Sequence, residues 1–427
     1  MGIVLKYLFT GLVVSMFYFS FGFTFLPAAV NTKLLLSIVG FGMSCYHAVQ
    51  NGAMKIDRAL IGAAAFAVLF SMVCFIAVDF NYTNDFSYAT YIVSFLVWIF
   101  SAYAVCVTIR WVHGRVNLSL LTYYLIAVCF LQCLLALAIN TMPEFQFFVN
   151  RYIEQGQEFL LEVDRLYGIG ASLDNAGVRF SIVLILIAAV LSKERELRNS
   201  TGRLSLILLA FFTIIVIGNM ISRTTSVGAG MALAYLVWSS GLAKLVVGRD
   251  FFKFHLLFGC MLILAIMITA YFFKTDPMFR AQIRFAFEGF FNWVEKGVWR
   301  TNSTDKLNRN MWVWPSDTRT WLTGTGLFDN WIYGTDIGYC RFILYCGLPG
   351  FMIFALFFVY NAVVFGRGYR QYRVVFYMLL VLTFIVWIKV STDIFLIYAL
   401  FYSIDMFNRH HQFTHQDEDR LLHSRYV

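Results

Sequence analysis

The chain has 427 residues, enough by length for two or three soluble domains, but 60% are hydrophobic and 13% charged, against about 45–50% and about 25% in soluble globular proteins. Aromatic residues make up 19%, with 46 Phe and 23 Tyr, and mean hydropathy is +0.71. The apolar excess runs through the whole chain, which excludes one anchor fused to a soluble domain and leaves an all-α integral membrane protein whose formal charge of +9 belongs on cytoplasmic loops rather than on a nucleic-acid face.

Runs long enough to cross about 30 Å of hydrocarbon recur about twelve times. They cover residues 5–26, 34–50, 59–78, 86–108 and 118–140, then 176–192, 204–221, 226–244 and 255–273, then 336–363, 374–389 and 392–407. The chain thus divides into five transmembrane helices (1–140), a first long loop (141–175), four helices (176–273), a second long loop (274–335), three helices (336–408) and a polar tail (409–427). The first run has no small-x-small cleavage site, so it is retained as a helix. Alternate loops and the tail carry Lys6, Lys55, Arg58, Arg110, Arg115, Lys193, Arg195, Arg198, Arg203, Lys244, Arg249, Lys253, Arg367, Arg370, Arg373, Arg409, Arg420 and Arg425, whereas the short loops of the other set carry Lys33, Arg223 and Lys389. The positive-inside bias puts both termini in the cytoplasm and both long loops outside.

The eight cysteines fall in apolar spans without CxxC spacing, so no disulfide framework is expected. In the second long loop Phe279, Ile283, Phe287, Phe290, Val294 and Val298 recur at helical spacing opposite Arg280, Arg284, Glu288, Asn292, Glu295 and Lys296. That pattern predicts an amphipathic helix in the interface plane. Phe148, Tyr152, Phe159 and Val163 form a weaker version in the first loop.

All seven histidines map to cytoplasmic helix ends, cytoplasmic loops or the tail, so an outer metal site or Ser–His relay is not expected, and no nucleotide-binding motif is present. The outer side instead holds arginine: Arg151 and Arg165, Arg179 just inside the next helix, Arg223 in a very short loop, Arg280, Arg284, Arg300, Arg309 and Arg319, and Arg341 within the tenth span. A single arginine here can snorkel to a headgroup. Arg223 is too tightly looped to do so, and arginine is the side chain best shaped for phosphate. The set points to a phosphate-bearing ligand reached from outside. Asp336 opens the tenth span after the glycine-rich stretch from Gly324-Thr325-Gly326 to Gly334. A carboxylate there can cap the helix or face the arginines as a base or substrate-hydroxyl ligand. Tyr339 and Cys340 share its face, Arg341 lies further round, and Asp393 is a second acid near the outer end of the twelfth span.

Three segments resemble the O-antigen polymerase and ligase family, the Wzy-type membrane glycosyltransferases. They are Arg165-Leu166-Tyr167-Gly168 followed by Asp174-Asn175-Ala176-Gly177; Ser222-Arg223-Thr224; and Arg309-Asn310-Met311-Trp312, Trp321-Leu322-Thr323-Gly324-Thr325-Gly326, Asp336, Tyr339, Gly347 and Gly350. The resemblance implies inverting glycosyl transfer, without metal or other cofactor, at the periplasmic face of a bacterial inner membrane. The implied leaving group is undecaprenyl diphosphate, with lipid-linked glycans as donor and acceptor and a chain-length regulator left open as a partner. Carried over, Arg165 and Arg223 bind the diphosphate and Asp336 orients or deprotonates the acceptor hydroxyl. Asn175, Arg179, Arg309, Tyr339 and Arg341 serve diphosphate or glycan binding, and Gly324 and Gly326 shape the loop. Ligases of the family tend to carry His-Asn where this chain has Asp336-Ile337, which favours a polymerase. The alternatives are the ligase, with lipid A core as acceptor, and a lipid-linked-glycan flippase or transporter. A transporter would tend to show two related halves, whereas here both long loops fall on one face.

Overall fold

The computed structural model describes residues 2–27, 29–52, 57–156, 160, 165–241, 249–329 and 331–408. Lys55, Phe159, Val163, Lys244 and the tail 409–427, with His410, His411, His415 and His423, lie outside them. The chain is an all-α, multi-pass membrane protein. In order, the first half holds α1 (Gly2–Tyr18), α2 (Thr32–Gln50), α3 (Arg58–Phe80), α4 (Tyr91–His113), α5 (Leu118–Thr141) and the short α6 (Pro143–Tyr152). Then come α7 (Leu173–Lys193), α8 (Arg195–Asn199), α9 (Thr201–Ile221), α10 (Thr225–Ser239) and α11 (Arg249–Thr275). The second long loop folds as α12 (Pro277–Ala286), α13 (Glu288–Lys296), α14 (Asn302–Asn310) and α15 (Thr318–Thr323). The chain closes with α16 (Gly338–Gly368), α17 (Arg373–Val386) and α18 (Phe395–Asn408). Among the described residues eight helices, α2 to α5, α7, α9, α11 and α16, are long and apolar enough to cross a membrane.

Several starts are written in side chains. Asn31, Asn117, Asp276 and Asp317 accept amide hydrogen bonds from the first turns of α2, α5, α12 and α15, which satisfies donors a helix cannot bond internally. The interior helix is α7, buried from Ala176 to Ser192 except at Arg179. Its neighbour α10 comes close because Gly228 lies on Ser181: a Cβ on Gly228 would stand 2.2 Å from the Ser181 Cα. The Ser181 hydroxyl donates to the Thr224 carbonyl at 3.0 Å and accepts from the Gly228 amide at 3.2 Å. Small residues and a buried hydroxyl thus replace the hydrophobic drive that apolar surroundings do not supply.

Both long loops lie at one end of the bundle. Gly22–Phe23 pairs antiparallel with Ile153–Glu154 of the first loop. Asn140 at the end of α5 meets Gln282 of the second, and Asp85, between α3 and α4, accepts from the Phe328 and Asp329 amides at 2.5 and 2.6 Å. At the opposite end His47 meets Tyr103 and His113 meets Tyr124.

Two expectations change. The first span, 5–26, holds a helix only to Tyr18, because Thr32 Oγ1 takes the Phe21 amide and donates to the Met16 carbonyl, turning the chain. Phe21, Phe23 and Phe25 then pack on one another. The amphipathic stretch from Phe279 to Val298 is two helices rather than one, broken at Phe287 (φ −114°, ψ 30°). The break brings Arg284 within 2.7 Å of Glu295, residues that a straight helix would hold about 16 Å apart. Ile283 packs into the core, while Phe290 and Val294 are 48% and 62% exposed.

The middle of α16 is opened by Pro349, which has no amide to give the Tyr345 carbonyl four residues back, and Cys346 and Gly347 leave helical geometry. The segment after α15 fills the gap. The Thr325 amide and hydroxyl donate to the Leu344 carbonyl at 2.7 and 2.9 Å, and the Gly326 amide to Tyr345 at 3.0 Å. Gly324 (φ 69°, ψ −169°) sits where a Cβ would be 2.2 Å from the Tyr345 carbonyl oxygen. Gly324→Ala is expected to cost about 3 kcal/mol or more, read as a lowered thermal midpoint in detergent. Gly297→Ala, at φ 71° with nothing within 4 Å, isolates the backbone strain and costs about 1–2 kcal/mol. Equal midpoints for the two variants would contradict this docking.

Candidate functional site

The site gathers at the end that carries the long loops. The link between α9 and α10 is the three residues Ser222-Arg223-Thr224. It is closed by the Ser222 amide and the Thr225 hydroxyl, which donate to the Gly218 carbonyl at 2.8 and 3.0 Å. Both flanking hydroxyls point back at α7: Ser222 and Thr224 donate to Asp174 Oδ1 at 3.0 and 2.7 Å, and Lys389 Nζ donates to the same oxygen at 2.7 Å. With its neighbours held, Arg223 projects the other way. Its guanidinium lies 4.5 Å from the ring centroid of Phe285 in α12 and pairs with Glu288 at the start of α13. The other Glu288 oxygen accepts the Asn302 amide at 2.9 Å.

Arg165 reaches the same ring, 4.9 Å from its centroid. The residues after it are locked to α5 by one side-chain amide: Gln132 donates to the Ile169 carbonyl and accepts the Ile169 amide, both at 2.9 Å, while Leu166 and Tyr167 are buried. Burial lowers the Arg165 pKa from its ordinary value, Asp174 opposing and Arg223 adding, and the group stays charged at neutral pH. The two arginines of separate segments therefore meet at one aromatic ring.

Asp336 stands two residues before α16, exposed. The helix-cap reading of this residue does not hold. The residue before α16 is Ile337, with no side-chain cap, and the Ile337 amide is taken by the Thr335 hydroxyl at 3.2 Å. Though the residue keeps exposed surface, partial desolvation by the surrounding protein raises the Asp336 carboxyl above its ordinary value; Arg341, Lys306 and Lys389 oppose this and Asp174 adds to it. Asp174 is thus the charge felt by both Arg165 and Asp336.

The chain between α17 and α18 ties the parts together. Lys389 holds Asp174; Ser391 accepts from Arg341 at 3.0 Å and, through its carbonyl, from Tyr88 at 3.3 Å. Thr392 donates to Asn175 at 3.1 Å, and its carbonyl takes the Trp387 indole at 2.7 Å. Other residues expected at the site are placed differently. Arg341 is also held by the Phe328 carbonyl and stacked on the Phe328 ring. The Tyr339 hydroxyl donates to the Phe384 carbonyl at 2.9 Å, and Cys340 is buried. Arg179 lies over Phe19 and Arg309 is exposed at the end of α14. Asp393 accepts the Phe395 amide at 2.9 Å. Gly326 has φ 65°, its backbone against Ala77 and Thr83.

An apolar groove of about 260 Å³ runs between α5, α9, α11 and α12, lined among others by Leu137, Phe212, Ile217, Ile268, Phe272 and Phe279. Ile217 and Phe279 each lie six residues before Arg223 and Phe285 respectively, about 9 Å of helix rise, so two walls of the groove lead toward the arginine pair.

Phe285, Glu288, Asp174 and Lys389 complete this arrangement. In the sequence Lys389 stands out, like Arg223, as a cation in a short loop of the set expected outside; Asp174 lies in a segment of the family resemblance without a role, Glu288 is only part of a polar helix face, and Phe285 carries no signal. No protein-family model, curated protein or solved structure matches this chain.

Proposed function

We propose that the protein extends a polysaccharide by joining polyprenyl-diphosphate-linked oligosaccharide repeat units at the outer face of a bacterial inner membrane, as an O-antigen-type polymerase. The observation that carries the reading is the convergence of Arg165 and Arg223 on Phe285, with an apolar groove whose wall residues Ile217 and Phe279 lie six residues before Arg223 and Phe285. Two guanidinium groups held together repel, and a diphosphate between or beside them offsets that repulsion while its isoprenoid tail fits the groove. In the reaction the acceptor hydroxyl oxygen attacks the anomeric carbon from the face opposite the diphosphate. The anomeric carbon–oxygen bond breaks, the diphosphate leaves with the electron pair, and the hydroxyl proton passes toward Asp336. The arginines stabilise the charge that grows on the leaving group, and the second loop over Arg223 excludes water that would hydrolyse the donor.

Asp336 is the carboxylate suited to the acceptor side: it is exposed, it caps no helix, and its raised pKa brings it nearer useful basicity. A disruption strain tests polymerase against ligase. The polymerase reading expects lipid A core bearing a single repeat, whereas bare core with polymer left on the carrier lipid would make the protein a ligase.

A further inference from the structure

Three indoles of the second loop lie in an offset, near-parallel series, the centroid separations being too long for full face-to-face overlap. Trp312 and Trp314 lie 5.7 Å apart at 30°, and Trp314 and Trp321 5.9 Å apart at 11°. Trp312 and Trp314 are 41% and 44% exposed. The stack is built rather than incidental. Trp321 Nε1 donates to the Pro315 carbonyl at 3.0 Å, and Asp317 caps α15 through the Thr320 amide and hydroxyl at 2.8 and 2.7 Å. It begins beside the candidate site, since the Thr335 hydroxyl, next to Asp336, donates at 2.5 Å to the carbonyl of Met311, next to Trp312.

We propose that Trp312, Trp314 and Trp321 form a stacking platform for the sugar rings of the glycan, running outward from Asp336. The proposal deepens the polymerase reading and rests on its glycan substrate. A pyranose presents an apolar face of axial C–H bonds ringed by equatorial hydroxyls. An indole face buries the former and leaves the latter to polar neighbours, here Ser316, Asp317, Thr318 and Arg319, all exposed. A membrane-surface tryptophan anchor is the competing occupant, since indoles favour headgroup depth. The polar run from Ser316 to Thr320 between the stacked rings, with exposed Asp317, opposes insertion into lipid.

The test is equilibrium binding of end-labelled oligosaccharides, released by mild acid from the host's own surface polysaccharide, to the purified full-length protein in detergent. Trp314→Ala and Trp312→Ala are each expected to weaken binding about tenfold, and Trp314→Phe to retain most of it. Trp238→Ala, an exposed indole on α10, is expected to leave binding unchanged. Wild-type protein that binds no saccharide, or folded Trp314→Ala and Trp312→Ala variants that bind as tightly as wild type, would overturn the platform. So would quenching by brominated lipids in nanodiscs that falls in Trp314→Ala but not in the control Trp321→Phe, which would make the ladder a lipid anchor. Chain extension is read separately. If Arg165→Ala, Arg223→Ala and Asp336→Ala all still make full-length chains while saccharide binding depends on Trp314, the polymerase reading fails and the platform stands.

Discussion

Arg223→Ala is expected to lower chain extension by about 10²–10³-fold, the loss typical of one preorganised charge-stabilising donor. The side chain combines a planar face on Phe285 with a charge beside Arg165. Arg223→Lys should therefore recover little of the loss, because an ammonium neither stacks nor forms two parallel bonds to phosphate. The substitution also leaves Glu288 without its cation, although Glu288 keeps the Asn302 amide. The double variant Arg223→Ala, Glu288→Gln separates the two effects. If it extends chains normally, the single variant's loss came from the unpaired Glu288; if it stays inactive while Glu288→Gln alone extends chains, the guanidinium acts on the substrate. The readout is the polysaccharide ladder from cells expressing equal amounts of each protein.

Asp336→Asn is expected to lower turnover about 10²-fold, the lower end of what a positioned acid–base group contributes. The pH profile carries the sign. The carboxyl lies above its ordinary value because partial desolvation by the surrounding protein, although the residue keeps exposed surface, penalises its charge more than Arg341, Lys306 and Lys389 favour it. As pH falls through that raised value the group protonates and can no longer accept the acceptor's proton. Wild-type turnover should fall on the acid side at a pH above the usual carboxylate range, and the residual rate of Asp336→Asn should lack that limb. An acid limb unchanged in the variant would assign the titration to another group.

The long helices were readable from hydropathy wherever the run is apolar and the break polar: 176–192 is expected and Leu173–Lys193 forms. Hydropathy misjudged the end of the first span because Phe21, Phe23 and Phe25 are apolar whether they face lipid or one another. The break at Phe287 was hidden because residues 279–298 keep a helical period across it, and only the pairing of Arg284 with Glu295 reveals the turn. At the site, Arg165, Arg223 and Asp336 stood out as ionisable groups at the end that carries the long loops. Their relation did not, because it depends on third parties. Phe285 joins the two arginines from a separate helix, and Asp174 is met by three donors from two other segments, one of them 215 residues away.

The most direct measurement is turnover by the purified full-length protein in detergent, supplied with one lipid-linked repeat unit as both donor and acceptor. The account predicts products of two, three and more repeats, with one polyprenyl diphosphate released per bond formed and no loss of rate on adding a metal chelator. No product in detergent, with movement of the same lipid-linked repeat across the bilayer of proteoliposomes, would contradict it and make the protein a transporter.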